Sequence, residues 1–354
     1  MKILILGASY GSLLSTKLLM AGHDVTLVCR TTSAQLINSE GTEVRIKLRD
    51  EDAHRSIHSA DLPGSLDATT PEQAQPQDYD LIGLAMQEPQ YSSPAVAGLM
   101  KRIAAAKKPC LSIMNMPPLA FLKRIPALAD ADLSSCYDDA QIWENFEPGL
   151  ISLCSPDPQA FRPPEESSNV LHVGLPTNFK ASTFGSDEHN AILKTLAEDI
   201  DNVRIEGKDV PVKLRVFDSL FVPMAKWSML MTGNYRCVRG DDIQPIHDAV
   251  HGDIDIAEQM YRWVDDLAQK LGAAASDQVP FEKYAAAAKQ LLKPSSVARA
   301  IDGGITKVER VDRMIQIIGR HLDMFNPTVD AIVSTVDQRL AENDKAQSIS
   351  AQSA

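Results

Sequence analysis

Lys2-Ile3-Leu4-Ile5-Leu6-Gly7-Ala8-Ser9-Tyr10-Gly11-Ser12 is an apolar run that closes on a glycine-bearing turn. A helical stretch follows over residues 13–21, and Gly22-His23-Asp24 breaks it. Val25-Thr26-Leu27-Val28-Cys29 then reads as a second buried strand. Strand, tight turn, helix and strand in this order suit a nucleotide pyrophosphate, because backbone N–H groups and a helix N-terminus face the anion. The second strand ends in Arg30-Thr31-Thr32-Ser33. An acid there would accept a bond from the ribose 2′-OH of NAD, whereas a cation and hydroxyls suit the 2′-phosphate of NADP. Gly7, Ser9, Tyr10, Gly11 and Ser12 are the expected pyrophosphate turn, and Arg30 and Thr31 the expected 2′-phosphate contacts. The usual G-x-G-x-x-G spacing is altered: Ser9 takes the middle glycine's place and Gly11 comes one residue early. The Ser9 or Ser12 hydroxyl could then bond the phosphate. The alternative is an ordinary strand-turn-helix that binds nothing.

The chain has 354 residues, room for two domains with cores of their own. Hydrophobic residues at 44% and charged residues at 23% are those of a soluble globular protein. A formal net charge of −12 argues against nucleic acid or an anionic membrane as partner. No apolar run reaches the ~20 residues of a membrane span. Gly7 and Ser9 interrupt the opening apolar run, so it reads as a strand of the fold rather than a signal peptide. The five cysteines are scattered singly and read as reduced, which with the missing leader predicts a cytoplasmic protein. His54/His58 and His247/His251 each stand four apart, a spacing that on a helix can hold a metal. Without an accompanying H-E-x-x-H they read as surface histidines, and no metal is expected.

Residues 43–48 alternate polar and apolar as a half-exposed strand should. Residues 50–78 are polar and read as a surface connection. Residues 80–86 and 109–114 are buried-strand candidates around a helix over 94–106, and the second strand stops at Asn115-Met116-Pro117-Pro118. Strands near 151–154 and 170–174 are expected to extend the sheet, with a proline-rich loop over 155–168 between them. A helix over 190–199 and a short last strand at 203–205 follow. After about residue 210 only helical patterns are read, among them the stripe Ile301, Ile305, Val308, Val311, Ile315, Ile318 and Leu322. The expected fold is α/β: a Rossmann-like dinucleotide-binding domain over 1–210 and an all-helical substrate and dimerisation domain over 211–340. Residues 341–354, polar and Ser/Gln-rich, read as a disordered tail.

With these pieces in place the chain resembles the ketopantoate reductase (2-dehydropantoate 2-reductase) family over nearly its whole length, as a divergent member. The resemblance rests on the Gly7 turn, Gly22-His23-Asp24-Val25, Arg30, Asn115, Lys226, Asn234 and Pro294-Ser295-Ser296. It implies an enzyme that uses NADPH to reduce a 2-oxo acid, with a catalytic lysine and glutamate. Asparagines and a serine would hold the substrate. The chemistry fits Lys226, which lies in the otherwise apolar Phe221-Val222-Pro223-Met224-Ala225-Lys226-Trp227. An ammonium group beside a carbonyl oxygen stabilises the charge that hydride transfer builds there, and can donate the proton. Snorkelling to solvent is the alternative. Asn115, at a strand's carboxyl end, would contact the nicotinamide ribose or the substrate, or else shape a turn before Pro117. Asn234 would bond the substrate, or cap a helix beside Gly233. Ser296 would bind a substrate carboxylate, with Ser295 or Ser296 equally able to cap a helix.

The departures fall mostly on the substrate side. The family lysine that assists at the 2′-phosphate corresponds to Gln87, and a substrate-binding asparagine to Leu230. The family glutamate aligns with Val308, and Glu309 is one residue late, ~100° of rotation on a helix. Glu309 is therefore a candidate catalytic residue only if the helix is shifted, and otherwise an exposed ion-pair residue. These changes point to a substrate other than 2-dehydropantoate. Two other readings stand beside the reductase. One is an opine-type dehydrogenase with a histidine as its acid–base group, for which His247-Asp248 is the candidate pair. The other is a dinucleotide-binding sensor without catalysis. A small molecule is the expected partner, and a helical domain with much apolar surface allows a homodimer.

Overall fold

The computed structural model describes residues 1–8, 10–49 and 51–352. It divides into two compact units, Met1–Arg124 with Gln141–Pro223, and Ile125–Ala140 with the chain from Met224 onward.

The first unit contains β1 (Lys2–Leu6), α1 (Tyr10–Met20), β2 (Asp24–Val28), α2 (Thr31–Glu40), β3 (Glu43–Ile46), β4 (Arg55–His58), β5 (Leu66–Thr69) and β6 (Leu81–Leu84). It continues with α3 (Pro94–Ala106), β7 (Cys110–Ile113), β8 (Ile151–Ser155), β9 (Gln159–Phe161), β10 (Val170–Leu175) and β11 (Phe179–Ser182). A helix over Asp187–Asn202 leads to β12 (Arg204–Ile205), β13 (Lys208–Asp209) and β14 (Leu214–Phe217). The main sheet has the order β14-β11-β8-β7-β6-β1-β2-β5 and is parallel except where β11 meets β8. Its central strands β6 and β7 are buried at every position, as strands covered on both faces must be. From β5 to β8 this is the doubly wound Rossmann order, and the chain reverses direction across the sheet between β1 and β6. Ligands of such sheets sit at the carboxyl ends of the strands at that switch point.

Four expectations change here. The polar stretch 50–78 holds β4 and β5. Of β5 only Ala68 is buried, so this edge strand carries almost no apolar signal. Residues 170–175 do not extend the main sheet. They pair with β3 and β9 in a second sheet, β4-β3-β10-β9, whose inner face sends Val44, Ile46, Ile57, Leu171 and Val173 into the core. The proline-rich loop contains β9. Finally, β14 lies beyond residue 210 and pairs with β11, which carries the first unit on to Pro223.

The second unit is helical. Ile254–Lys270 is its long central helix, capped by the Asp253 carboxylate accepting from Ile256 N. Ala257, Met260, Tyr261, Val264, Leu267 and Ala268 form its buried stripe at helical spacing. Tyr261 packs with Val250, Phe281, Tyr284 and Ala288 into a core cluster. The apolar stripe read over 301–322 is two helices, not one. Ser296–Asp302 ends at Gly303-Gly304, and Val311–His321 begins after an irregular link. Residues 341–352 are helical, continuing Pro327–Gln352, instead of a disordered tail. No helix among the described residues is long and apolar enough to cross a membrane.

Candidate dinucleotide and substrate sites

In the first unit the turn after β1 stands at the switch point. Gly7 has φ +98°, and a Cβ built on it would lie 2.5 Å from the Ala85 carbonyl oxygen just past β6. Only glycine lets the ends of β1 and β6 approach this closely. Gly11 plays a second role, because a Cβ there would lie 2.8 Å from Ile5 Cγ2 and push α1 off the sheet. No acidic residue stands in the first turn of α1 to compete for an anion. Ser9 lies outside the described residues, as does the side chain of Tyr10. The Ser12 hydroxyl is buried and donates to the Ala8 carbonyl, so it braces the turn rather than facing a phosphate.

Arg30 is exposed at the carboxyl end of β2 and occupies the N-cap position of α2, with Thr31 exposed beside it. No side chain caps α2 and its first turn carries no acid, which leaves N–H groups for an anion. Gln87 is also exposed, just beyond β6, and its N–H donates to Gln90 Oε1 at 3.0 Å. Asn115 follows β7, and its Oδ1 is buried without a hydrogen-bond partner among the described residues. A buried amide oxygen left unpaired is costly unless a ligand completes it. The sequence reading missed Arg162, which follows β9 and donates to the Ala8 carbonyl at 2.5 Å. Its one sequence signal is an arginine fixed by Pro163-Pro164 inside a stretch otherwise read as loop. Together these features fit the two ends of a dinucleotide: a glycine turn for the pyrophosphate, cations at the end of β2, and an amide at the end of β7.

In the second unit Lys226 opens a helical run that changes form along its length. Lys226–Met229 is α-helix, Leu230–Asn234 is a π turn, and Tyr235–Cys237 is 3-10 helix. Eight residues of α-helix overshoot two full turns by ~80°. The wider π turn absorbs most of that overshoot and returns Asn234 to the face of Lys226. Both are half-buried, whereas Trp227, Ser228 and residues 230–233 are buried. The Tyr284 hydroxyl holds this turn by donating to the Met229 carbonyl at 3.2 Å. The Asn234 side chain makes no capping bond. Its backbone carbonyl accepts from Ser295 Oγ at 2.7 Å, and Ser295 Oγ in turn accepts from Ala298 N at 3.2 Å. Ser295 is therefore the helix cap, and Ser296 is exposed at the first helical position.

The structure removes the rotational objection to Glu309, which lies in the irregular link before Val311 and not on a helix. Val308 is buried, and Glu309 is half-buried. The link is tied to the Lys226 run by Tyr235, whose hydroxyl donates to the Glu309 carbonyl at 2.5 Å and accepts from Val311 N at 3.2 Å. Arg310 braces it from the other side, bonding the fully buried Asp312 at 3.0 and 2.9 Å and Asp337 at 2.6 Å. Burial pushes the Asp312 carboxyl up against the opposing pull of Arg310. Lys226, Asn234, Ser296 and Glu309 thus belong to one helical unit, in which Leu230 is buried.

The two histidine pairs lie in different settings. His58 is in β4, so His54 and His58 do not share a helix face. His247 and His251 do share one, but His247 bonds Asp248 at 2.8 Å and His251 bonds the Ala285 carbonyl at 2.9 Å. No group of metal-ligating side chains occurs among the described residues.

A doubly wound sheet with a glycine turn at its switch point, followed by a helical unit, defines the Rossmann-like α/β class. Residues 3–115 match the family model described as ketopantoate reductase PanE/ApbA. The N-terminal third of the chain thus carries the match to this family, and the resemblance read from the sequence holds, with the low identity of a divergent member. The 2-dehydropantoate 2-reductase of Methylococcus capsulatus superposes with a TM-score of 0.67 at 14% identity, covering 97% of this chain and 98% of its own. D-mandelate dehydrogenase, in a ternary structure with NADH and anilino(oxo)acetate, gives 0.64 at 16% identity, covering 97% and 100%. A dimeric ketopantoate reductase from Staphylococcus aureus gives 0.63 at 12%, covering 97% and 100%. At such identities these likenesses show the shared fold. No curated protein matches the sequence.

Proposed function

We propose that this protein is an NADPH-dependent reductase of a small 2-oxo acid or related carbonyl compound. The observation that carries the reading is the Gly7 turn at the switch point, with Arg30 exposed at the end of β2. A D-mandelate dehydrogenase of this fold holds NADH together with anilino(oxo)acetate, which supports a nicotinamide dinucleotide and an oxo-acid substrate. The dinucleotide, when bound, supplies the hydride.

The chain's own residues have separable tasks. The Gly7 turn and the N-terminus of α1 receive the pyrophosphate. Arg30 and Thr31 receive the 2′-phosphate, and the Asn115 amide completes its open acceptor on the nicotinamide ribose or the substrate. Lys226 Nζ stabilises the oxygen that becomes negative and gives it a proton. Asn234 and Ser296 bond the substrate's polar groups, and Glu309 assists Lys226 through the proton inventory of the site. Leu230 and Val308 make the substrate side more apolar, which favours an acid with an apolar substituent over 2-dehydropantoate. Five free cysteines support a reducing, cytoplasmic setting. Exposed Ile254 and Ile256 on the central helix of the second unit support a homodimer.

Titration with NADPH and NADH, then a 2-oxo acid panel followed by loss of NADPH absorbance, tests the reading. NADPH is expected to bind more tightly than millimolar, about 4 kcal/mol, and at least one acid to turn over. Lys226→Ala is expected to abolish turnover while NADPH binding persists. Failure of both dinucleotides to bind would exclude a redox enzyme. Tight binding with no responsive substrate would favour the sensor.

A further inference from the structure

Arg162 sits where no part of the proposed chemistry has used it. Its guanidinium reaches from the end of β9, in the second sheet, to the Ala8 carbonyl at the tip of the dinucleotide turn, 2.5 Å away. Pro163 follows and holds residue 162 extended, so the side chain is presented from a fixed backbone. Its Nε is buried and has no hydrogen-bond partner among the described residues. No carboxylate pairs with it there either. The groups acting on its charge are the Cys29 thiol and the Arg30 guanidinium, and burial together with Arg30 holds its pKa below the usual arginine value. Arg162 thus acts on Arg30, the N-cap of the uncapped α2, and no counter-anion pairs with either among the described residues. Like charges brought together, one of them half-buried, are unfavourable by themselves and become favourable around a multiply charged anion. At the corresponding end of β6, Gln87 is exposed and uncharged.

We propose that Arg162 is a specificity-determining residue for NADPH, its guanidinium and that of Arg30 together clasping the 2′-phosphate. Arg162 approaches from the second sheet and Arg30 from the end of β2. The bond to Ala8 fixes one end of the Arg162 fork on the turn and leaves Nε for a phosphate oxygen. This assignment rests on the reading of the chain as an NADPH protein.

Dissociation constants of the purified full chain for NADPH, NADH, 2′,5′-ADP and 5′-AMP test it by calorimetry, which reads binding without turnover. Arg162→Gln keeps a polar side chain and removes the charge, and Arg162→Lys restores the charge. Arg162→Gln is expected to weaken NADPH and 2′,5′-ADP by about tenfold or more. NADH and 5′-AMP should stay within about threefold. Arg162→Lys should recover most of the loss. Arg30→Gln should lower the same two ligands selectively. If Arg162→Gln weakens NADH as much as NADPH, or neither, while Arg30→Gln still removes the preference, the role given to Arg162 is wrong and the NADPH reading stands. If the unaltered protein binds NADH as tightly as NADPH, that reading falls and the inference with it. Melting curves of each variant separate a binding loss from misfolding of the turn.

Discussion

The Tyr235 hydroxyl and the Glu309 carbonyl are hydrogen-bonded at 2.5 Å, joining the residue after Asn234 to the link before Val311. The same oxygen accepts from Val311 N, so one phenol satisfies a donor and an acceptor of the link. Burial raises the Tyr235 pKa well above its usual value, which keeps the phenol a neutral donor throughout the working pH range. Tyr235→Phe leaves both backbone groups unpaired and should cost ~1–3 kcal/mol in denaturant unfolding. Exchange of the Val311 amide should speed up. If Glu309 serves at the reaction centre, kcat should fall with little change in KM. An unchanged unfolding midpoint would show that water replaces the phenol.

Gly7→Ala tests the turn itself. The substitution meets both a positive φ and a backbone oxygen 2.5 Å from the new Cβ. The β1–β6 approach must open, with a cost on the order of 1–3 kcal/mol. NADPH affinity should fall by more than about tenfold. Gly22→Ala is the comparison, since Gly22 also has a positive φ but nothing within 4 Å of its built Cβ. It should lower the melting temperature modestly and leave NADPH binding alone. Equal effects on binding would mean that the close approach at Gly7 is not what the ligand needs.

The parts of this structure that were legible in the sequence are those with dense local signal. β1, α1, β2, β6, α3 and β7 combine apolar runs with glycine or proline punctuation, and the Gly7 turn follows from them. The pieces that escaped notice draw their order from elsewhere. β5 buries one residue, Ala68, and is held by pairing with β2. β9 is short and half-exposed and is held by β10. Arg162 could not be placed without that pairing. Lys226 and Asn234 were legible as residues, but not the π turn that aligns them, because helix type depends on tertiary partners such as Tyr284. The setting of Glu309, off any helix, was hidden for a related reason. A stripe at helical spacing continued across Gly303-Gly304, and periodicity counts positions without detecting a break.

Asp265 provides a pH-dependent probe of the Lys226 run. Burial raises its carboxyl pKa to about 6, opposed by the hydrogen bond it accepts from the Ser228 hydroxyl. The folded state therefore holds a proton that the unfolded chain releases near 3.8. Stability contributed here is full below that value and is lost as pH rises through about 6. Asp265→Asn keeps an acceptor for Ser228 and carries no charge. The variant should be more stable than the parent at pH 7, and the gap should close on acidification toward pH ~4. Parallel stability curves for the two proteins would show that this carboxylate is not desolvated.

Lys17 gives the opposite slope. It is buried on α1 and donates to the carbonyls of Val210 and Pro211 at 3.2 and 3.1 Å. Burial, then the neighbouring charge of Lys213, lowers its pKa from 10.5 to about 7. Between those values the unfolded chain retains a proton that the folded chain has shed. Stability must therefore rise with pH across that window. Lys17→Met removes the titration and leaves the two carbonyls without their donor. Thiol and tyrosine ionisation act on both proteins alike, so the difference between them isolates Lys17. Unfolding free energies measured from pH 7 to pH ~9 should rise in the parent relative to Lys17→Met. A constant difference over that range would mean that Lys17 stays protonated when buried, its ammonium held by the two carbonyls.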